Sequence, residues 1–131
     1  MVRLWLEKAD GSLRVADTEL EAGFASFAIG RLYYACFYAL TALHLRDGKH
    51  FRRHSQVIGE FNRCYVNAGV VGREWADLVR QLFDNRQEGD YTALPDFEPE
   101  YVRERMAMAR RFVAVIRGLL EGDGARGEDG R

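Results

Sequence analysis

From Val2 to Leu20 the apolar positions Val2, Leu6, Ala9, Leu13, Ala16 and Leu20 recur at three- and four-residue spacing, with Glu7, Lys8, Arg14 and Asp17 on other sides. This period predicts an amphipathic first helix. Gly23 is a natural C-terminal stop, and a second helix begins almost at once, as a tight antiparallel hairpin requires. From Phe24 to Leu45 the chain is apolar on nearly every side. A helix hydrophobic all round must be covered on several sides, so this one is expected to be central. Asp47 and Gly48 end it. A third helix starts near His54 or Ser55, carries Val57, Ile58, Phe61, Cys64 and Tyr65, and closes at Asn67, Ala68 and Gly69. Gly72 precedes a fourth helix with Trp75, Leu78, Val79, Leu82 and Phe83 as its stripe. After a loop over residues 92–99, Pro99 suits the first turn of a fifth helix. That helix buries Tyr101, Val102, Ala109, Phe112, Val113, Ile116 and Leu119, while Arg103, Arg105, Arg110, Arg111 and Arg117 form a solvated face. Nothing alternates as a strand and no repeat is visible. The expectation is an all-α antiparallel bundle of about five helices over residues 1–121. Residues 122–131 contain nothing apolar enough to anchor them and are expected to be a disordered tail.

Two charged residues break the apolar pattern. Arg31 lies inside the central helix on the face of Phe27, Tyr34 and Tyr38, and Arg86 falls in the middle of the fourth helix's stripe with Asp90 one turn later. A buried guanidinium requires partners. Tyr34 and Tyr38 offer hydroxyls to Arg31, and Asp90 offers a carboxylate to Arg86. An Arg followed by Asp at four residues is the weaker orientation for supporting a helix, so helix support alone is a poor reason for the pair. Arg31 also argues against a membrane span, where it would cost about 2.5 to 3.5 kcal/mol in the hydrocarbon.

Composition narrows the classes further. With 131 residues, 47% hydrophobic, the chain suits one domain with a real core. The net charge of -1 excludes a globally basic nucleic-acid binder, though not a local basic patch. No signal-peptide pattern opens the chain, so the expected compartment is the cytoplasm. Cys36 and Cys64 sit in apolar helical patterns without metal or redox spacing and are expected to be buried reduced thiols. No metal site and no cofactor are expected. The compact basic segment containing Lys49, Arg52, Arg53 and His54 feeds a helix N-terminus. There, free N–H groups and the helix dipole would add to its side chains in holding a phosphate; the alternative is a solvated loop.

Three runs carry a resemblance: Ile29 to Tyr38, then His54-Ser55-Gln56-Val57-Ile58, then Leu82 to Tyr91, the last containing Asp84-Asn85-Arg86-Gln87-Glu88-Gly89-Asp90. In this order and spacing they resemble the HEPN family of small prokaryotic helical proteins, from Leu6 to Leu120. The resemblance implies an up-and-down bundle of about five helices, a homodimer, and a minimal nucleotidyltransferase protein as partner. Many family members are metal-independent endoribonucleases that act as toxins, with an arginine followed four to six residues later by a histidine at a dimer cleft. Arg86 matches the arginine, but no histidine follows it anywhere in the chain.

That departure favours binding over catalysis. Arg86 can stabilise phosphate charge without the histidine, whereas proton transfer needs another owner. His54 is a candidate from a different helix; Asp90 would need a raised pKa, and Tyr91 is a poor base near neutrality but a candidate for modification by a partner. The leading expectation is a nucleotide- or RNA-phosphate-binding module with Arg86, Asp90, Tyr91 and His54 at its centre. Arg31, Tyr34, Lys49, Arg52 and Arg53 would be its binding residues, in a toxin–antitoxin-like system. The alternatives are an active ribonuclease using Arg86 with His54 or Asp90, and a non-catalytic dimeric interaction module.

Overall fold

The computed structural model describes the backbone of residues 1–91 and 97–129 and the side chains of residues 1–87 and 97–122. Among these the chain forms α1 (Val2–Glu21), α2 (Ala25–Arg46), α3 (His54–Phe61), α4 (Arg73–Tyr91) and α5 (Pro99–Asp129). A π-helical turn, Asn62–Val66, continues directly from α3. No strand occurs among the described residues.

The punctuation follows the glycines. Gly23, Gly48 and Gly69 adopt φ values of 90°, 78° and 78°, in the left-handed region that a side chain disfavours. Each stands just past a helical segment, after α1, α2 and the π turn, where the chain must reverse. Pro99 opens α5, where its missing N–H costs no intrahelical bond. α5 is continuous past Gly122 to Asp129; its side chains beyond Gly122 lie outside the described residues.

α2 is the centre. It packs against α1, α3, α4 and α5, and Ala28, Ile29, Leu32, Tyr33, Ala35, Cys36, Ala39, Leu40 and Leu43 are buried along it. The small residues Ala28, Ala35 and Ala39 let neighbouring helices approach, and the larger ones fill the space between them. At the far side Phe112 of α5 meets Phe61 edge-on at 5.6 Å and Trp75 at 5.8 Å, joining α3, α4 and α5 in one core. His44 is the buried polar side chain of that core; its Nε2 lies 2.8 Å from the carbonyl of Val57. Cys36 is fully buried, which pushes its thiol pKa up, whereas Cys64 is only half-buried, with its thiol donating to Glu60 at 3.2 Å.

One expectation fails at the start of α2. Phe24 and Phe27 are 55% and 67% exposed, and Arg31 on the same face is exposed as well. Arg31 therefore needs no buried partner: its Nε lies 3.3 Å from Glu19 of α1, an exposed pair of small worth. α2 is therefore central but not covered all round: the face that starts with Phe24, Phe27 and Arg31 is open, and Tyr34 and Tyr38 further along it are half-buried. No helix among the described residues is long and apolar enough to cross a membrane.

Candidate functional site

α3 begins at His54, and α4 brings Arg86 to its fourth turn; both side chains arrive on the same face of α2. Tyr33, fully buried in α2, is the hinge of the arrangement. Its hydroxyl lies 2.7 Å from His54 Nδ1, and its ring stacks on the imidazole at 5.7 Å and 19°. Phe37, one turn along α2, stacks closer still, at 4.1 Å and 20°. Tyr34 meets the imidazole edge-on at 6.0 Å. The Arg86 guanidinium sits over the rings of Tyr33 and Tyr34, at 5.6 and 5.0 Å from their centroids. Phe83, one turn before Arg86, packs on Tyr33 at 5.6 Å and fixes how α4 lies against α2.

The electrostatics follow from this packing. Desolvation first, and then the nearby Arg86 charge, push the His54 pKa below the ordinary imidazole value. His54 is therefore neutral at pH 7. Burial pushes the Tyr33 phenol far above its ordinary range, with the Arg86 charge only partly opposing, so Tyr33 stays protonated. Among the described residues, His54 Nδ1 is the acceptor within reach of that hydroxyl. When Tyr33 donates, the neutral imidazole carries its proton on Nε2 and can give it to an anion's oxygen; in the other tautomer Nδ1–H donates to the phenol oxygen and Nε2 is an acceptor.

On the other side of α4, Asn85 donates to the Tyr101 hydroxyl at 2.6 Å, tying α4 to α5 one residue before Arg86. Tyr101 is held between Phe97, stacked at 5.9 Å, and the guanidinium of Arg105 at 4.3 Å from its ring. The position of Arg86 is thus set from both neighbouring helices.

The other sequence candidates distribute as follows. Tyr34 is in the cluster, half-buried, under Arg86. Arg31 pairs with Glu19 of α1, so the aromatic cluster under Arg86 is built without it. Lys49 is engaged with Glu60, whose carboxyl is lowered to about 2 by hydrogen bonds from Lys49, Arg63 and Cys64. Arg52 and Arg53 are exposed at the entry to α3, and Arg53 is its N-cap, its backbone N–H reaching the Gln56 side chain at 3.4 Å. The side chains of Asp90 and Tyr91 lie outside the described residues. Tyr33, Phe37 and Phe83 are absent from the sequence candidates. Tyr33 and Phe37 lie in the aromatic-rich run around Arg31, and Phe83 in the apolar stripe one turn before Arg86, but neither pattern shows that the three rings meet.

This is a bundle wrapped on a central apolar helix, with an arginine and a histidine from different helices gathered on its aromatic face. The chain belongs to the HEPN domain family, whose model matches residues 2–119. It is 35% identical over 121 residues to a UPF0332 protein of Thermotoga maritima, covering 92% of each chain. It is 27% identical over 120 residues to a protein of Methanocaldococcus jannaschii named as a putative toxin, covering 92% of this chain and 89% of that one. The crystal structure of TT1696 from Thermus thermophilus superposes with a TM-score of 0.75 at 22% identity, over 88% of this chain and 95% of that chain, which supports the fold.

Proposed function

We propose that this chain is a HEPN-type module that binds nucleotide or RNA phosphate at Arg86 and His54. The observation that carries the reading is that Arg86 and His54, far apart in sequence, rest on the same two tyrosine rings, Tyr33 and Tyr34. A guanidinium gives a phosphate two parallel N–H donors. A neutral imidazole with its proton on Nε2 gives a third, and none of these needs a metal ion.

The tautomer favours binding over cleavage. A ribonuclease needs a base to take the 2′-hydroxyl proton; in the tautomer this reading adopts, Tyr33 donates to Nδ1 of His54 and Nε2 carries the proton, so the ring offers no base. The reading places the protein in the cytoplasm as a homodimer beside a minimal nucleotidyltransferase, in a toxin–antitoxin-like system; the name of the Methanocaldococcus relative supports the last element. The second reading, a metal-independent ribonuclease using Arg86 and His54, draws on the same juxtaposition and requires the opposite tautomer.

Incubation with total RNA in excess EDTA, alongside a fluorescence-anisotropy titration with labelled RNA, tests both. Binding without cleavage, weakened by Arg86→Ala and by His54→Ala, is the expected result. Cleavage abolished by Arg86→Ala would establish the second reading, and RNA binding unaffected by Arg86→Ala would overturn the first.

A further inference from the structure

The aromatic face does not stop at Arg86. Tyr34 leads to Tyr38, with ring centroids 5.7 Å apart, and Tyr38 leads across to Trp5 of α1, again at 5.7 Å. All three rings are half-buried, with part of each open to solvent. Lys8, exposed on α1, sits 4.8 Å from the centroids of both Trp5 and Tyr38. The strip therefore carries a cation over each part of its length, Arg86 over Tyr34 and Lys8 over Tyr38 and Trp5 together.

A core needs no such order. Rings that only fill space are covered on both faces, and a lysine gains little by lying on two half-open rings at the surface. Alternating aromatic faces and cations is the chemistry that holds a single strand: bases stack on the rings whatever their identity, and the cations meet the phosphates. On that basis, and resting on the phosphate reading of Arg86, we infer that the strip from Arg86 to Lys8 is a binding track for a single-stranded oligonucleotide. Its first phosphate lies at Arg86, its next base stacks on Tyr38 or Trp5, and Lys8 swings from the rings to a following phosphate.

The track separates oligonucleotides from mononucleotides. Trp5 reports directly on it, because the other tryptophan, Trp75, is only 7% exposed in the core and out of reach of a ligand. The full chain is titrated with UMP, with oligo(rU) and oligo(dT) of about eight nucleotides, within the usual size of one strand-binding site, reading tryptophan emission and affinity. Expected is quenching by the oligonucleotides that is absent in Trp5→Phe, with oligonucleotide affinity well above that for UMP. Trp5→Ala is expected to weaken oligonucleotide binding about tenfold, as loss of one stacked base would, and to leave UMP binding unchanged. Lys8→Ala, at an exposed site outside the core, is expected to keep the fold, to weaken the oligonucleotide alone and to flatten its salt dependence.

Binding of both oligo(rU) and oligo(dT) supports a track that reads base and phosphate; binding of oligo(rU) alone supports one that also engages the 2′-hydroxyl. Oligonucleotide affinity that falls with Arg86→Ala but not with Trp5→Ala or Lys8→Ala would overturn the track and leave the phosphate site standing. No effect of Arg86→Ala on either ligand would overturn both. Trp5 emission that responds to protein concentration and not to oligonucleotide would assign the strip to a second copy of the chain and overturn the track.

Discussion

The hydroxyl of Tyr33 and Nδ1 of His54 lie 2.7 Å apart, joining the middle of the central helix to the first residue of α3. The bond is made by a fully buried phenol, so the imidazole it holds is fixed in orientation.

Replacing Tyr33 with Phe removes that donor and little else. The expected cost is about 1 kcal/mol of stability, the usual net value of one such bond. The more specific effect is on His54, whose Nδ1 is released and whose proton is no longer confined to Nε2. Nitrogen chemical shifts of the His54 imidazole report this directly: the wild type is expected to show one neutral tautomer and Tyr33→Phe a mixture. A mixture in the wild type would remove the tautomer argument for binding over cleavage.

Arg86→Ala is expected to leave the fold intact and to lower affinity for RNA by about tenfold or more, the loss of a charge-assisted phosphate contact. The guanidinium also rests on Tyr33 and Tyr34, so a stability loss of about 0.5 to 2 kcal/mol accompanies it. Arg86→Lys keeps the charge but loses the planar fork, and should recover stability better than affinity. Urea unfolding and anisotropy titration on the same three proteins separate the two effects.

Stability is expected to fall as the solution is made mildly acidic. Burial lowers the pKa of His44, and burial together with Arg86 lowers that of His54. In the unfolded chain both rings take up protons below about 6.5, while the folded protein resists until a lower pH. The unfolded state then binds more protons, so unfolding becomes easier as pH falls from about 7 through the folded values. Glu60, lowered to about 2, acts only in a more acid range, below the unfolded carboxylate pKa. Urea midpoints between about pH 7.5 and 5 isolate the histidines, and His44→Gln is expected to flatten the slope.

Phe112→Ala should be among the most damaging single changes. The ring is fully buried and touches both Phe61 and Trp75, so its removal leaves a cavity shared by α3, α4 and α5. A loss of about 3 to 5 kcal/mol is expected from urea denaturation. Phe27→Ala, at a ring 67% exposed, should cost far less.

The helices were legible because their signals are local. Three- and four-residue spacing, Gly23, Gly48 and Gly69 at the reversals and Pro99 at the last start each act within a turn or two of chain. The π turn Asn62–Val66 gave no such signal, since one extra residue per turn changes neither composition nor pattern. The exposure of Arg31 is hidden from the sequence for a different reason. Helical periodicity says which residues share a face, not which neighbour covers it, and the first turns of α2 present Phe24, Phe27 and Arg31 to solvent. Arg86 could be picked out as a charge in an apolar stripe. Its meeting with His54 could be raised only as one possibility, because it depends on how α3 and α4 are set against α2, a relation between helices that no single helix records.

The placement of α2 bears on when the molecule opens. The middle of α2 packs against four other helices, so its backbone hydrogen bonds are lost only when these leave, and the amide protons there should exchange with solvent through whole-molecule unfolding. Tyr33, Tyr34, Phe37 and Tyr38 are all mounted on it. The wall against which a ligand would lie is thus the last part of the protein to move, and binding there spends little on ordering the receptor.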